Sequence, residues 1–361
     1  MNIEEMLNIA PYSLDKEQKH EILNDRIREL TVLHYGACPE YKRMMDAIGL
    51  DICNLPDYEK MPFLPVRLFK EFELKSCADK DVVKTMTSSG TTGQKVSKIF
   101  LDRDTSAIQT KCLTKIVSSF LGQKRIPMLI LDSSAVIKNR NMFSARGAGI
   151  LGFSMFGSKR CYAFDENMEL DVEGMKTFLS EHSGESVFLF GFTFMIWQHF
   201  YKKLKECGYN PDLSKGILIH GGGWKKLVNE KVSPEEFKQK LNNVCGILPE
   251  NIHDYYGMVE QTGTVYMECE YGHLHTSIFS DVFVRRPKDF SLANFGEKGL
   301  LEVVSALPHS YPGHILLTED EGMILGEDDC PCGLKGKYFK IDGRIKNAEI
   351  RGCSDTYAAK F

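Results

Sequence analysis

The chain has 361 residues, of which 43% are hydrophobic and 26% charged, an ordinary globular composition that excludes a disordered, collagenous or low-complexity protein. Lys and Arg number 45 against 49 Asp and Glu, a net charge of −4, so there is no overall basic field to hold nucleic acid or an anionic membrane. This length corresponds to about two to three domains, or one large α/β domain with an appendage, and needs no disulfide or metal merely to fold. The first twenty residues are acidic and helical in pattern, so no secretory signal is expected. The longest apolar stretch, residues 187–197, is too short to span a bilayer and contains Gly191 and Thr193. Eleven cysteines, an odd number, are scattered along the chain; that is the usage of reduced thiols in a cytoplasmic protein.

In chain order, residues 1–50 read as helices, with Ile22, Leu23, Ile27, Leu30 and Leu33 at helical spacing. Pro56, Pro62 and Pro65 punctuate an irregular stretch. Residues 84–86 form a short strand candidate that feeds the loop 87–95. Residues 104–121 have a helical period, and the apolar run 128–131 suits a buried strand. A helix at 171–182, a buried strand at 187–190 and a helix at 194–207 follow. Next comes a strand at 216–220, and then a helix at 234–245 opened by Ser233 and Pro234. This alternation predicts a mostly parallel sheet with helices on its faces. Residues 264–350 read instead as short strands and turns. The expected organisation is a helical region and α/β core over 1–263, a β-rich subdomain over 264–342 and a short tail over 343–361. No internal repeat is visible.

Four constellations can carry chemistry. In the loop 87–95, Gly90 and Gly93 let successive N–H groups turn inward. Ser88, Ser89, Thr91 and Thr92 add hydroxyls, and Lys95 adds charge; this is how a loop holds phosphates. It lacks Walker A spacing, and a surface Ser/Thr/Gly loop is the alternative. Gly221, Gly222 and Gly223 follow a strand directly after His220, where a flat ligand can approach backbone at the ligand-binding edge of a parallel sheet; a tight turn is the alternative. Asp254, Tyr255, Tyr256, Gly257 and Glu260 set a carboxylate among aromatics and glycine, suited to a metal or phosphate, or to an ordinary turn. Cys330 and Cys332 form a tight Cys-x-Cys turn, and Cys269, His273 and His275 lie upstream. Three thiolates and one imidazole would close a tetrahedral structural zinc site, unless these groups never meet. His34, His182 and His199 fall in helical stretches and read as partly exposed or satisfied.

The order of these motifs resembles the adenylate-forming superfamily. Thr318-Glu319-Asp320 looks like its ribose-binding Thr-Gly-Asp. Asp342-Gly343-Arg344, with Glu349-Ile350-Arg351-Gly352, looks like its hinge. The resemblance runs from about residue 60 to 352. Residues 255–263 (Tyr-Tyr-Gly-Met-Val-Glu-Gln-Thr-Gly) and the ending Arg351-Gly352-Cys353-Ser354 narrow it to the acyl-protein synthetase (LuxE) family. The fold so implied is the adenylate-forming α/β core of helix-flanked sheets, with a β-rich subdomain and a truncated C-terminal tail.

The activity so implied uses ATP and Mg²⁺ to convert a fatty or other carboxylic acid to acyl-adenylate. The acyl group then moves to Cys353 and on to an acyl-accepting reductase or carrier protein. The resemblance gives the phosphates to Ser88–Lys95, the adenine to Gly221, Gly222, Gly223, Asp254, Tyr255, Tyr256 and Gly257, and the ribose to Asp320. It gives Mg²⁺ to Glu260 and the hinge to Arg344. Arg351, two residues before Cys353, would favour its thiolate. Similarity to phenylacetate-CoA-ligase-like relatives favours His275 over His273 as a zinc ligand. Two departures stand out: Val259 replaces a usual Thr, and the usual small C-terminal domain with its catalytic Lys is not seen. The rival readings are an acyl- or aryl-CoA ligase, which would not need Cys353, and a non-catalytic nucleotide- or zinc-binding module.

Overall fold

The computed structural model describes residues 1–88, 95–138 and 145–345. Helix Lys16–Ala37 starts at a capping box: the Asp15 side chain accepts from Gln18 N, and the Gln18 side chain accepts from Asp15 N. Its Leu23, Ile27 and Leu30 are fully buried, one helical face apart. Helix Pro234–Cys245 opens as its sequence demands, with Ser233 Oγ accepting from Glu236 N and Pro234 in the first turn.

Three short strands come first: β1 (Leu64–Pro65), β2 (Lys84–Thr87) and β3 (Lys98–Leu101). The next five are β4 (Ile126–Ser133), β5 (Gly157–Phe164), β6 (Val187–Phe192), β7 (Gly216–Gly221) and β8 (Ile252–Tyr256). The last six are β9 (Tyr266–Glu268), β10 (Leu274–His275), β11 (Ser280–Arg285), β12 (Gly299–Ser305), β13 (Ile315–Glu327) and β14 (Lys337–Arg344). The main sheet runs β11-β12-β13-β14-β10-β9-β8-β7-β6-β4-β5, and β1 lies parallel to β13.

From β5 to β8 every pairing is parallel. Helices such as Val172–Glu181 and Pro234–Cys245 connect these strands, so both faces are covered and the strands are near-continuous apolar runs. Met128, Leu129, Ile130 and Leu131 in β4 are fully buried, as are Phe188, Leu189 and Phe190 in β6. From β8 onward the pairings along the sheet are antiparallel. The β-rich stretch therefore continues the same sheet through β8 and β9 rather than forming a sheet of its own. The helix after β6 differs from a simple α-helix: Ile196–Tyr201 is a π-turn between Thr193–Met195 and Lys202–Cys207.

Buried charge fastens the N-terminal helix to the antiparallel half. Asp281 on β11 accepts from Lys337 Nζ at 2.8 Å and from Tyr58 Oη at 2.7 Å, and Lys19 Nζ lies 3.7 Å away. Burial pushes Lys19 down to about 8, against the pull of Asp281.

A second buried joint is a pair of histidines. The rings of His34 and His314 lie 4.9 Å apart. His34 Nε2 is 3.1 Å from Pro308 O, and His314 Nε2 is 3.0 Å from Thr31 Oγ1. Burial holds His34 well below its ordinary value and His314 down to about 3. Both are therefore neutral when folded, whereas the unfolded chain binds two protons below about pH 6.5. Stability from this pair is complete above that pH and falls as the solution is acidified, by about 4 kcal/mol in total at pH 5. A His314→Asn variant is expected to show a shallower fall of the urea midpoint between pH 7.5 and 5. An unchanged slope would remove the pair as the cause.

Candidate nucleotide site and metal cluster

β2 and β3 pair antiparallel, with Thr87 opposite Lys98, and the predicted phosphate loop lies between them in sequence. The base of the loop is pinned: Ser88 N donates to Ser97 O at 3.2 Å, and Ser97 N donates to Ser88 Oγ at 2.9 Å. Ser89, Gly90, Thr91, Thr92 and Gly93 lie outside the described residues. Lys95 is exposed, with Nζ 2.9 Å from Glu71 Oε2. Such a surface pair is worth about 0–1 kcal/mol, so Lys95 is readily re-aimed.

Glu260 sits in the 3₁₀ turn Val259–Gln261 and is only 4% exposed. Burial pushes its carboxyl up; the Ser97 hydroxyl and, more weakly, the Arg344 guanidinium oppose this. The base of the loop and Glu260 are therefore neighbours. The turn is fixed from behind, because Gln261 Nε2 donates to Gly313 O at 2.8 Å and to Val303 O at 3.1 Å. Gly313 must be glycine there, since a Cβ would meet the Tyr311 ring at 2.3 Å and Glu260 O at 2.9 Å.

The triple glycine lies at the carboxyl end of β7, with Gly221 opposite Tyr255 and His220 opposite Asp254. A Cβ on Gly221 would stand 2.5 Å from the Tyr255 ring, and Gly222 has φ +76°, so bare backbone is laid against an aromatic ring. Asp254 N donates to Glu268 Oε2 at 2.9 Å, and the buried Lys238 ammonium pairs with the same oxygen. His220 does not open to solvent: its Nδ1 lies 3.0 Å from Thr193 Oγ1, and burial pushes it down to about 3. It is a neutral support for the loop.

Tyr256, Asp320 and Arg344 converge from β8, β13 and β14. Tyr256 Oη donates to Asp320 Oδ2 at 2.7 Å, and Arg344 Nε lies 3.3 Å from Asp320 Oδ1. Gly257 follows β8 directly. Cys353 and its flanking residues lie outside the described residues. Ser97, Lys238 and Glu268 carry no local signature, and sequence reading did not find them.

The cysteine–histidine cluster assembles. Donor atoms of Cys269, His275, Cys330 and Cys332 all lie within 4.8 Å of one another. Individual separations are 4.0 Å for Cys269–Cys330, 3.3 Å for Cys330–Cys332 and 3.4 Å from Cys332 Sγ to His275 Nε2. A tetrahedral zinc with about 2.3 Å Zn–S bonds needs donors about 3.7 Å apart, so these residues fit that ion. Each cysteine pair member opens a tight turn, with Gly272 N donating to Cys269 O and Gly333 N to Cys330 O. His273 Nδ1 is 3.3 Å from Cys330 Sγ, which places it against a ligand rather than among the four.

Among solved structures, 2-hydroxyisobutyryl-CoA ligase in an open conformation superposes with a TM-score of 0.68 at 12% identity, covering 93% of this chain and 77% of that one. The same ligase in its thioesterification state gives 0.67 at 13% identity, covering 94% and 70%. The fold is thus that of the adenylate-forming enzymes. A model of the acyl-protein synthetase family LuxE matches residues 2–361, and the chain belongs to that enzyme family. Two relatives are long-chain-fatty-acid–luciferin-component ligases. The one from Vibrio harveyi is 22% identical over 98% of this chain and 91% of its own length. The one from Aliivibrio fischeri is 25% identical over 95% and 90%. Among the described residues, no helix is long and apolar enough to cross a membrane.

Proposed function

We propose that the protein activates a long-chain fatty acid with ATP and then carries the acyl group as a thioester on Cys353. The observation that supports this most is convergence. Motifs far apart in sequence meet pairwise: Gly221 with Tyr255, and Tyr256 with Asp320 and Arg344. In this reading the loop 88–95 cradles the phosphates and Asp320 takes the ribose hydroxyls. Gly221–Gly223 and Asp254–Gly257 flank the base. Glu260 would hold the Mg²⁺ that accompanies ATP and offsets its charge. The fatty-acid carboxylate oxygen attacks the α-phosphorus; the bond to the β-phosphate oxygen breaks and pyrophosphate leaves. N–H donors of the loop and Lys95 stabilise the charge that develops, usually the largest catalytic contribution. The Cys353 thiolate, its proton lost to solvent, then attacks the acyl carbonyl and AMP leaves. A reductase or carrier protein is the final acceptor.

Cys269, His275, Cys330 and Cys332 would hold a zinc ion with all four positions filled by protein. That leaves no open position for catalysis, so the ion would be structural.

Acid-dependent ATP–pyrophosphate exchange tests the activation step, run with acids from acetate to long-chain and aromatic ones. Cys353→Ser is expected to keep exchange and to lose all stable acyl labelling of the protein. Lys95→Ala is expected to slow exchange. Full labelling of Cys353→Ser would remove Cys353 as the carrier, and acyl-CoA formation by wild type and variant alike would favour a CoA ligase. Absence of exchange with every acid in folded protein would leave a binding module.

A further inference from the structure

Asp320 is held from three directions. Its backbone N donates to Thr318 Oγ1 at 3.1 Å, and that hydroxyl donates to Leu301 O on β12 at 2.8 Å. Arg344, its register partner on β14, brings Nε to 3.3 Å from Oδ1. Tyr256 reaches across from the end of β8 and donates to Oδ2 at 2.7 Å. Each carboxylate oxygen thus has a protein partner, and a carboxylate offers about four acceptor sites. The side chain is 13% exposed, so acceptor capacity remains for a ligand on its open side.

We propose that Tyr256 is a positioning residue for nucleotide recognition: its hydroxyl turns the Asp320 carboxylate so that both oxygens face a cis-diol, the 2′- and 3′-hydroxyls of a ribose. This rests on the adenylation reading above and adds to it. There Tyr256 contributes a ring beside the base; here its hydroxyl acts through Asp320 on the sugar. Without the phenol, Oδ2 loses the partner that fixes it and the side chain is freer to rotate. A plane aimed by two partners is a stricter fit for a diol than one held at a single atom.

The ordinary alternative is that a part-buried phenol has simply found an acceptor. Tyr256→Phe separates the two, because it keeps the ring and removes only the hydroxyl. The measurement is calorimetric binding of AMP and 2′-deoxy-AMP to wild type, Tyr256→Phe and Asp320→Asn, with no turnover required. Wild type is expected to prefer AMP. Tyr256→Phe is expected to bind AMP about tenfold more weakly, the effect of one hydrogen bond to a charged acceptor, and to lose most of its preference over the deoxy form. Asp320→Asn is expected to lose the preference altogether.

A Tyr256→Phe protein with the wild-type preference overturns the inference while leaving Asp320 as the ribose group. A wild type with no preference overturns it too, because Asp320 then reads no diol. Pyrophosphate exchange in the same preparations reports separately on the adenylation reading. Melting temperatures of the three proteins show whether weakened binding tracks lost stability, which would return Tyr256 to a structural role.

Discussion

Replacing Glu260 with Gln is expected to lower ATP–pyrophosphate exchange about 10²–10³-fold, the range seen when one preorganised electrostatic partner of a reacting centre is removed. The substitution keeps shape and removes charge. The turn that carries residue 260 is anchored by the Gln261 amide on Gly313 and Val303, and that anchor is untouched. The fold should therefore survive with a melting temperature near that of wild type. In the proposed role of Glu260 the effect falls on the metal: Gln would offer a neutral carbonyl where a carboxylate stood, and Mg²⁺ takes hard, charged oxygen ligands. The apparent Mg²⁺ concentration for half-maximal exchange should rise together with the loss of rate. Lys95→Ala makes a useful contrast. Lys95 is 70% exposed and tied only to Glu71 among the contacts described, so its loss is partly screened by water and should cost less. Wild-type exchange and Mg²⁺ dependence in Glu260→Gln would remove this residue from the chemistry.

How legible these features are in the sequence depends on whether the signal is local. β4 and β6 are readable because strands covered on both faces must be apolar throughout, and helix Pro234–Cys245 because its cap is written in Ser233 and Pro234. β5 is not readable in this way. It ends the sheet, and its Ser158, Lys159 and Arg160 are exposed. The π-helical segment Ile196–Tyr201 is equally silent, since its mix of apolar, aromatic and polar residues is that of an ordinary helix and a widened turn leaves no compositional mark.

The site divides in the same way. Glycines and hydroxyls at fixed offsets raise the expectation of a phosphate loop, most of which lies outside the described residues, and of a flat approach at Gly221, where backbone lies against the Tyr255 ring. The contact between Tyr256 and Asp320 joins residues 64 apart, and the Asp281 cluster joins β11 to Lys19, near the other end of the chain. Such pairs are fixed only once the sheet has set its strand order. The choice between His273 and His275 needs geometry as well. Spacing allows either, and the structure gives His275 to the donor set while leaving His273 beside Cys330.

Removing the metal from the cysteine cluster is expected to lower the melting temperature by about 4–7 °C, after one zinc per chain has been found in protein purified under reducing conditions. The region has little else to hold it. Its apolar core consists of Cys269, Cys330 and Tyr338, with Leu325, Cys332 and Leu334 at the margin. β10 has two residues, the turn at Cys269–His273 rests on two backbone hydrogen bonds and that at Cys330–Gly333 on one, in addition to their neighbours' packing. In isolated peptides a structural zinc supplies on the order of 10 kcal/mol. Here His275 pairs with both β9 and β14, so part of the cage persists without the ion, and a loss of roughly 3–5 kcal/mol is expected. The two histidines give the discriminating result. His275→Ala should abolish stoichiometric zinc, because it removes a ligand and opens a gap between Tyr12 and Tyr338, whose rings pack against it. His273→Ala should retain the metal and release it faster to a chelator, because it removes no ligand but loses the contact to the Cys330 sulfur and the stacking on Tyr338. Equal zinc content in both variants, or none in wild type, would show that the four donors meet for packing alone.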